Sequence, residues 1–157
     1  RGTPIAPWIR GGGQERGLRG GTEPIPAIAG LGAACALALA EGERRTAHLA
    51  KMRDRLERRL RDRFSCLVVH GDGAPRLPNT LSAAIPGARA TAFLDALDGI
   101  AASAGAACHS GDDRPSKVLL AMGVSPDLAR ATLRFSTGRS TTPEEIDEAA
   151  RKVFAGA

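Results

Sequence analysis

Apolar residues recur at intervals of three and four through Ile25, Ile28, Leu31, Cys35 and Leu39, the spacing of one helix face. Pro24 and Pro26 stand at the start of this run, where a missing amide proton costs nothing. Gly42 is a place for it to bend or break. Beyond Gly42 the stripe continues through Leu49, Met52, Leu56 and Leu60, with Arg and Glu opposite. Asp54/Arg58 and Glu57/Arg61 fall at i,i+4 on the wet face. Two short apolar runs read as strands: Cys66–His70, closed by Gly71-Asp72-Gly73, and Thr80–Ile85, ended by Pro86-Gly87. Ala90–Leu97 reads as a short helix stopped by Gly99, and Ile100–Ser103 as a short strand. Pro115–Met122 reads as a helix with Gly123 as its C-cap. Ser125 and Pro126 suit the N-cap and first turn of the next helix. Thr132–Ser136 is a strand, and Thr142-Pro143-Glu144-Glu145 a capping box heading a last helix that buries Ile146, Ala149, Ala150 and Val153. Residues 1–24 are rich in Gly, Pro and Arg, carry little periodicity, and read as extended chain and loop. Helices alternating with short strands give a mixed α/β (α+β) class.

At 157 residues the chain can bury one real core. Its net charge of +5 is mostly arginine spread over helices among acids, which reads as solvated faces rather than a nucleic-acid surface. Four Phe, one Trp and no Tyr give no stacking platform for single strands. No apolar run is expected to reach the ~20 residues of a bilayer span, and no signal-peptide pattern is present. The expectation is a protein with neither nucleic-acid nor membrane partners. Cys35, Cys66 and Cys108 form no CxxC or Cys/His cluster, so neither a metal site nor a disulfide framework is expected; reduced thiols in the cytoplasm are the simplest reading. Cys35, on the apolar helix face, reads as core, and Cys66 as core or strand edge. The chain opens on Arg-Gly-Thr-Pro without an initiator Met, which suggests a piece of something larger.

The chemistry-bearing positions are few. Cys108 sits in Ser103-Ala104-Gly105-Ala106-Ala107-Cys108-His109-Ser110-Gly111, among small residues that leave its sulfur room to reach a partner. It is a candidate nucleophile that accepts or passes on an atom, or else a small core cysteine. His109 is a candidate base beside it, although adjacent side chains often point apart. Arg134 lies inside an apolar strand, Leu133-Arg134-Phe135, where an inward guanidinium needs a partner. It either clamps a carboxylate with two hydrogen bonds, joins an internal ion pair, or faces outward. Arg139, after Gly138, has similar standing. Gly11–Thr22 is glycine-rich, and Thr22 stands at a helix mouth where the dipole favours a phosphate. The stretch is neither a P-loop nor a dinucleotide fingerprint; a plain linker is the alternative. His48 reads as lying on a solvated helix face, and His70 closes a strand with no partner evident.

Five ordered blocks carry a resemblance: Gly11–Pro24 (GGGQERGLRGGTEP), Arg76–Ser82 (RLPNTLS), Ser103–Gly111 (SAGAACHSG), Pro115–Val124 (PSKVLLAMGV) and Leu133–Asp147 (LRFSTGRSTTPEEID). Together they resemble the C-terminal part of a cysteine desulfurase or selenocysteine lyase, in the class V branch of fold-type I pyridoxal-phosphate enzymes. The resemblance implies a small C-terminal domain: a short, mostly antiparallel sheet against helices, with a long N-terminal connecting helix. It implies pyridoxal 5′-phosphate, whose aldimine with the substrate draws electrons from Cα and Cβ. Cys108 matches the loop cysteine that takes sulfur or selenium as a persulfide or perselenide, leaving alanine. Arg134 matches the arginine that binds the substrate carboxylate. Asn79 falls in a motif near the substrate, with His109 beside the site. Thr22 matches a threonine reaching the cofactor phosphate of the neighbouring subunit in a homodimer. The implied partners are cysteine or selenocysteine and sulfur or selenium acceptors such as an iron–sulfur scaffold.

The cofactor lysine of such enzymes lies on a Ser-x-His-Lys loop. Lys51, Lys117 and Lys152 all fall in helical patterns without it. The expectation is that residues 1–24 are a glycine-rich arm left over from a large cofactor domain, that residues 25–157 are the small domain, and that the chain alone is inactive. Two rivals keep parts of this reading: a non-enzymatic sulfur carrier or scaffold using only Cys108, and a class V transaminase or sulfinate lyase needing no loop cysteine.

Overall fold

A computed structural model describes residues 2–104 and 114–155. The chain divides into two compact units, residues 1–42 and 43–157. The elements run in the order 3₁₀ turn Gln14–Gly17, α1 Ile25–Arg63, β1 Val68–Val69, β2 Thr80–Ala84, α2 Ala90–Ala96, α3 Lys117–Ala121, α4 Pro126–Arg130, β3 Thr132–Ser136 and α5 Pro143–Ala155. Most match the expected elements within a residue or two. The strand expected over Cys66–His70 shortens to two residues, and of Ile100–Ser103 only Ser103 is paired. α1 passes through Gly42 without a break; one glycine costs a helix only about 1 kcal/mol.

The helix ends form as their residues dictate. The Thr142 amide donates to the Glu145 carboxylate at 2.8 Å and the Glu145 amide to Thr142 Oγ1 at 3.2 Å, which closes the capping box. The Leu128 amide donates to Ser125 Oγ at 3.4 Å with Pro126 in the first turn. After α3, Gly123 turns left-handed at φ +82. Its amide and that of Val124 then donate to the carbonyls of Leu120 and Leu119, both at 3.0 Å, a Schellman closure that only glycine adopts cheaply.

In residues 43–157 the sheet order is β1-β2-β3, antiparallel throughout, with Val69 opposite Ala83, Leu81 opposite Phe135 and Ala83 opposite Leu133. These five side chains join one core with Met52, Leu56 and Leu60 of α1, Phe93 of α2, and Ile146, Ala150 and Val153 of α5. Ala149, expected in that core, is half-buried. Arginines tie α1 to its surroundings. Arg55 and Arg59 both present their forks to Asp147 of α5, at 2.6–3.2 Å. Glu57 receives Arg61 at 2.9 Å, the expected i,i+4 pair, and also Arg76 at 2.8 Å. Arg61 continues to Asp72 at 2.8 Å, and Arg53 donates to the Leu77 carbonyl at 3.0 Å. The loop from β1 to β2 is thereby strapped to α1. Asp54 pairs with Arg53 at 2.7 Å rather than with Arg58.

Four expectations are corrected. Cys35 is exposed, not core. So are its neighbours on the stripe: Ile25, Ile28, Leu31 and Leu39 are 50–88% exposed, and α1 buries nothing before Met52. The periodicity marked an apolar face whose cover is not among the described residues of 1–42. Cys66 is exposed as well, in the turn ahead of β1. The expectation that no apolar run reaches bilayer length also fails. α1 contains a stretch long and apolar enough to cross a membrane by length and composition, none of it buried. Finally, His48 is half-buried with Nε2 enclosed and unpartnered, not on a solvated face.

Two outcomes test this architecture. Leu60, 1% exposed at the centre of the core, becomes a cavity in Leu60→Ala, which lowers the unfolding free energy by about 2–5 kcal/mol in urea denaturation. The two guanidinium groups hold the Asp147 carboxyl well below the usual carboxylate range. The contribution of this cluster to stability is therefore complete above the ordinary carboxylate pKa of about 4 and fades as pH falls below it. Thermal melts of Asp147→Asn should show a smaller loss of stability than the parent between pH 5 and pH 3.

Candidate functional site

Strand alternation sets the site. Leu81, Ala83, Leu133 and Phe135 point into the core, so Thr80, Ser82, Arg134 and Ser136 lie on the opposite face. Arg134 is exposed and makes no ion pair with any described residue. Among the described residues the internal ion pair is therefore excluded; the guanidinium faces outward, where the carboxylate-clamp reading remains open to it.

The backbone hydrogen bonds of Arg134 both go to one residue. Its amide donates to the Ser103 carbonyl at 2.8 Å, and the Ser103 amide donates back at 3.1 Å. Both backbone groups of Arg134 thus point to Ser103, so the pairing with Ser82 across β2 is of the non-hydrogen-bonded kind. Such pairs bring Cα atoms to about 4.5 Å, with side chains close. The Ser82 carbonyl in turn accepts the His70 amide at 2.9 Å. The result is a row, His70, Ser82, Arg134, Ser103, across the polar face.

His70, partnerless in sequence, finds Thr132 of β3: Nε2 lies 2.9 Å from Thr132 Oγ1. That hydroxyl gives its one proton to the Leu128 carbonyl at 2.8 Å, so it must accept from the imidazole, which fixes the Nε2–H tautomer. β2 lies between β1 and β3; the ring therefore bridges over it, where the same-face residues are only Ser82 and Ala84. Burial pushes the His70 pKa down.

The other candidates fall as follows. Asn79 is half-buried just ahead of β2. Its carbonyl accepts the Thr137 amide at 2.9 Å, and its Oδ1 accepts Thr80 Oγ1 at 3.1 Å. Thr137 is three residues past Arg134, so Asn79 and Arg134 share one ribbon about 10 Å apart along the ladder. Arg139 is exposed in the turn after β3. Cys108 and His109 lie within residues 105–113, outside the described residues; the described chain reaches Ala104, one residue beyond the Ser103–Arg134 pair. Thr22 belongs to residues 1–42, where it is exposed and its carbonyl accepts Arg19 at 3.3 Å. The glycine-rich segment ahead of it closes on itself: the Gly20 amide donates to the Ile9 carbonyl at 2.8 Å, and a Cβ on Gly20 would meet Gly11 Cα at 2.7 Å. Sequence reading singled out Arg134 but not Ser82, Ser103 or Ser136. Period two in Leu81-Ser82-Ala83 and Leu133-Arg134-Phe135-Ser136 carried that signal, and only the register aligns the two strands.

On the core side of β3 an open cavity of about 510 Å³ lies among Ile100, Phe135, Ile146 and Lys152. The Lys152 amine donates to the Asp98 carbonyl at 2.8 Å. Among the described residues no cluster of His, Cys, Asp and Glu could hold a metal ion.

The Aminotransferase class-V family profile matches residues 7–149. The chain belongs to the class-V aminotransferase family. This class-V chain is 48% identical to the selenocysteine lyase of Bos taurus over 151 residues, covering 92% of this chain and 35% of that protein. It is 40% identical to the cysteine desulfurase IscS of Rickettsia akari over 145 residues, with the same two shares, 92% and 35%. Among solved structures, the NifS-like protein from Rickettsia africae superposes with a TM-score of 0.80 at 31% identity, over 98% of this chain and 40% of that one. The expected fold, a short antiparallel sheet against helices with a long helix ahead of it, is thereby borne out. The class-V chain spans about a third of the length of the curated relatives it matches.

The family implies pyridoxal 5′-phosphate, and the residues present fit it only in part. Lys51 and Lys117 are exposed on helices and Lys152 is spent on a carbonyl, so none is set to bind the cofactor covalently. Thr22, exposed after two glycines, suits a phosphate contact. Treating the 157-residue chain with pyridoxal phosphate and then borohydride should leave no single lysine labelled stoichiometrically in a peptide map. The His70 pKa, lowered by burial, adds a second expectation. Stability is full above the ordinary histidine value of about 6.5 and falls as pH drops through it, because the unfolded chain takes up the proton first. The melting temperature should drop from pH 7.5 to 5.5, and less in His70→Gln.

Proposed function

We propose that this chain is the C-terminal, small-domain part of a pyridoxal-phosphate-dependent cysteine desulfurase or selenocysteine lyase. Residues 1–24 are the arm adjoining the large domain, and residues 25–157 are the small domain with its connecting helix. The observation that carries the reading is the Ser103–Arg134 backbone pair. It roots the segment leading to Cys108 beside a guanidinium that stands, without an ion pair among the described residues, on an open polar face.

Arg134 grips the carboxylate of cysteine or selenocysteine through parallel N–H donors. Asn79, held by Thr80 and Thr137, borders the same ribbon, and His109 serves proton movement beside Cys108. The Cys108 thiolate attacks the substrate sulfur or selenium. A sulfur–sulfur or sulfur–selenium bond forms as the bond to Cβ breaks; the electron pair released goes to Cβ, which takes a proton to give alanine. The bound cofactor supplies the electron sink next to Cα. It is held covalently by a residue outside this chain, with Thr22 on its phosphate across a homodimer. The Cys108 persulfide or perselenide passes to an acceptor such as an iron–sulfur scaffold in the cytoplasm, and α1 with its bare apolar stretch lies against protein rather than lipid.

An uncommitted carboxylate clamp disfavours the sulfur-carrier alternative, which has no use for one. In the full-length enzyme, Cys108→Ala should abolish the persulfide adduct seen by mass spectrometry and alanine release from cysteine. Unimpaired turnover in that variant would instead support the transaminase or sulfinate-lyase reading. Arg134→Ala should raise KM for cysteine about 10- to 100-fold, the loss of a charged hydrogen-bond pair.

A further inference from the structure

We propose that Ser82 is a positioning residue for Arg134, holding its guanidinium in the orientation that receives the substrate carboxylate; this rests on the proposed role of Arg134. Ser82 stands directly opposite Arg134, and the reciprocal bonds of Arg134 to Ser103 make this the close, non-hydrogen-bonded kind of pair. Among the described residues neither the Ser82 hydroxyl nor the Arg134 guanidinium is committed to a hydrogen bond or ion pair, so both are available to each other. The neighbouring hydroxyls are committed or more distant: Thr80 Oγ1 donates to Asn79 and Thr132 Oγ1 joins His70 to Leu128, Ser103 faces Arg134 across the wider, hydrogen-bonded kind of pair, and Ser136 is two residues along the same strand.

Reach decides what Ser82 can do. Its hydroxyl lies one bond beyond Cβ, whereas the guanidinium ends four atoms further out. A carboxylate held at the tip of Arg134 is therefore beyond Ser82. The Nε–H nearer the backbone is not, and Ser82 Oγ can accept it while the two terminal nitrogens stay free for the anion. Arginine presents five donors in a fixed plane, so pinning Nε sets the direction of the other two nitrogens.

The test uses the full-length enzyme. Ser82→Ala should raise KM for cysteine about tenfold, with kcat changed less than twofold and the melting temperature unmoved; Ser82→Thr, which keeps the hydroxyl, should restore the parent KM. In an Arg134→Lys background, which lacks the Nε donor, Ser82→Ala should change KM less than twofold. An unchanged KM in Ser82→Ala overturns the inference, as does a full tenfold effect persisting in the Arg134→Lys background. If Arg134→Ala itself leaves KM untouched, it is the carboxylate-clamp reading that fails.

Discussion

The pairing of Arg134 with strand on both flanks governs this fold's usable face. Its amide and carbonyl are spent on Ser103, and the residues on either side of it, Leu133 and Phe135, are locked into the core. Alternation then leaves its side chain one direction only, outward onto the polar face. A charged group placed within an apolar strand need not be buried; here the strand serves to aim it. The same contact anchors Ser103, the stem of the segment bearing Cys108, so in the proposed reaction the carboxylate clamp and the nucleophile share one backbone attachment.

Around that attachment the rest of the small sheet acts as bracing. The core lies on one side only, formed by the later part of α1 with α2 and α5. The loop between β1 and β2 lacks regular structure, yet Arg53, Arg61 and Arg76 strap it to α1 or pair with Glu57 and Asp72. It leads to Asn79 and into β2, so arginines on a helix fix where the sheet begins. The arginine surplus, legible in the sequence as solvated faces, is in part a set of such straps.

How far the sequence reached depended on the range of the interaction. Capping at Ser125 and Thr142–Glu145 and the glycine closure at Gly123 involve residues three to five apart, and each formed as expected. The strands Thr80–Ala84 and Thr132–Ser136 were likewise evident in their composition. Their register was not, and with it went the roles open to Ser82 and Ser103 and the partner of His70, which is 62 positions away. Periodicity also reports that a face is apolar without saying what covers it. The stripe through Ile28, Leu31 and Cys35 is real, but the inference from stripe to burial failed. Arg134 was marked by its type and neighbours and Thr22 by the glycines ahead of it and the helix behind it, whereas Asn79 was marked only through family likeness, and nothing local singles it out.

The imidazole of His70 acts as a bolt driven across the ribbon. Anchored just past β1 and bonded to Thr132 of β3, it fixes two strands that never touch, and it does so above the small side chains of the strand between them. In a sheet with period two, sliding β3 by a single residue would swing the Arg134 guanidinium in beside Leu81 and Ala83 and push Leu133 and Phe135 out to water. A histidine at the far edge of the sheet thus guards the handedness of the whole face: shear must break that bolt before the charge can be misdirected.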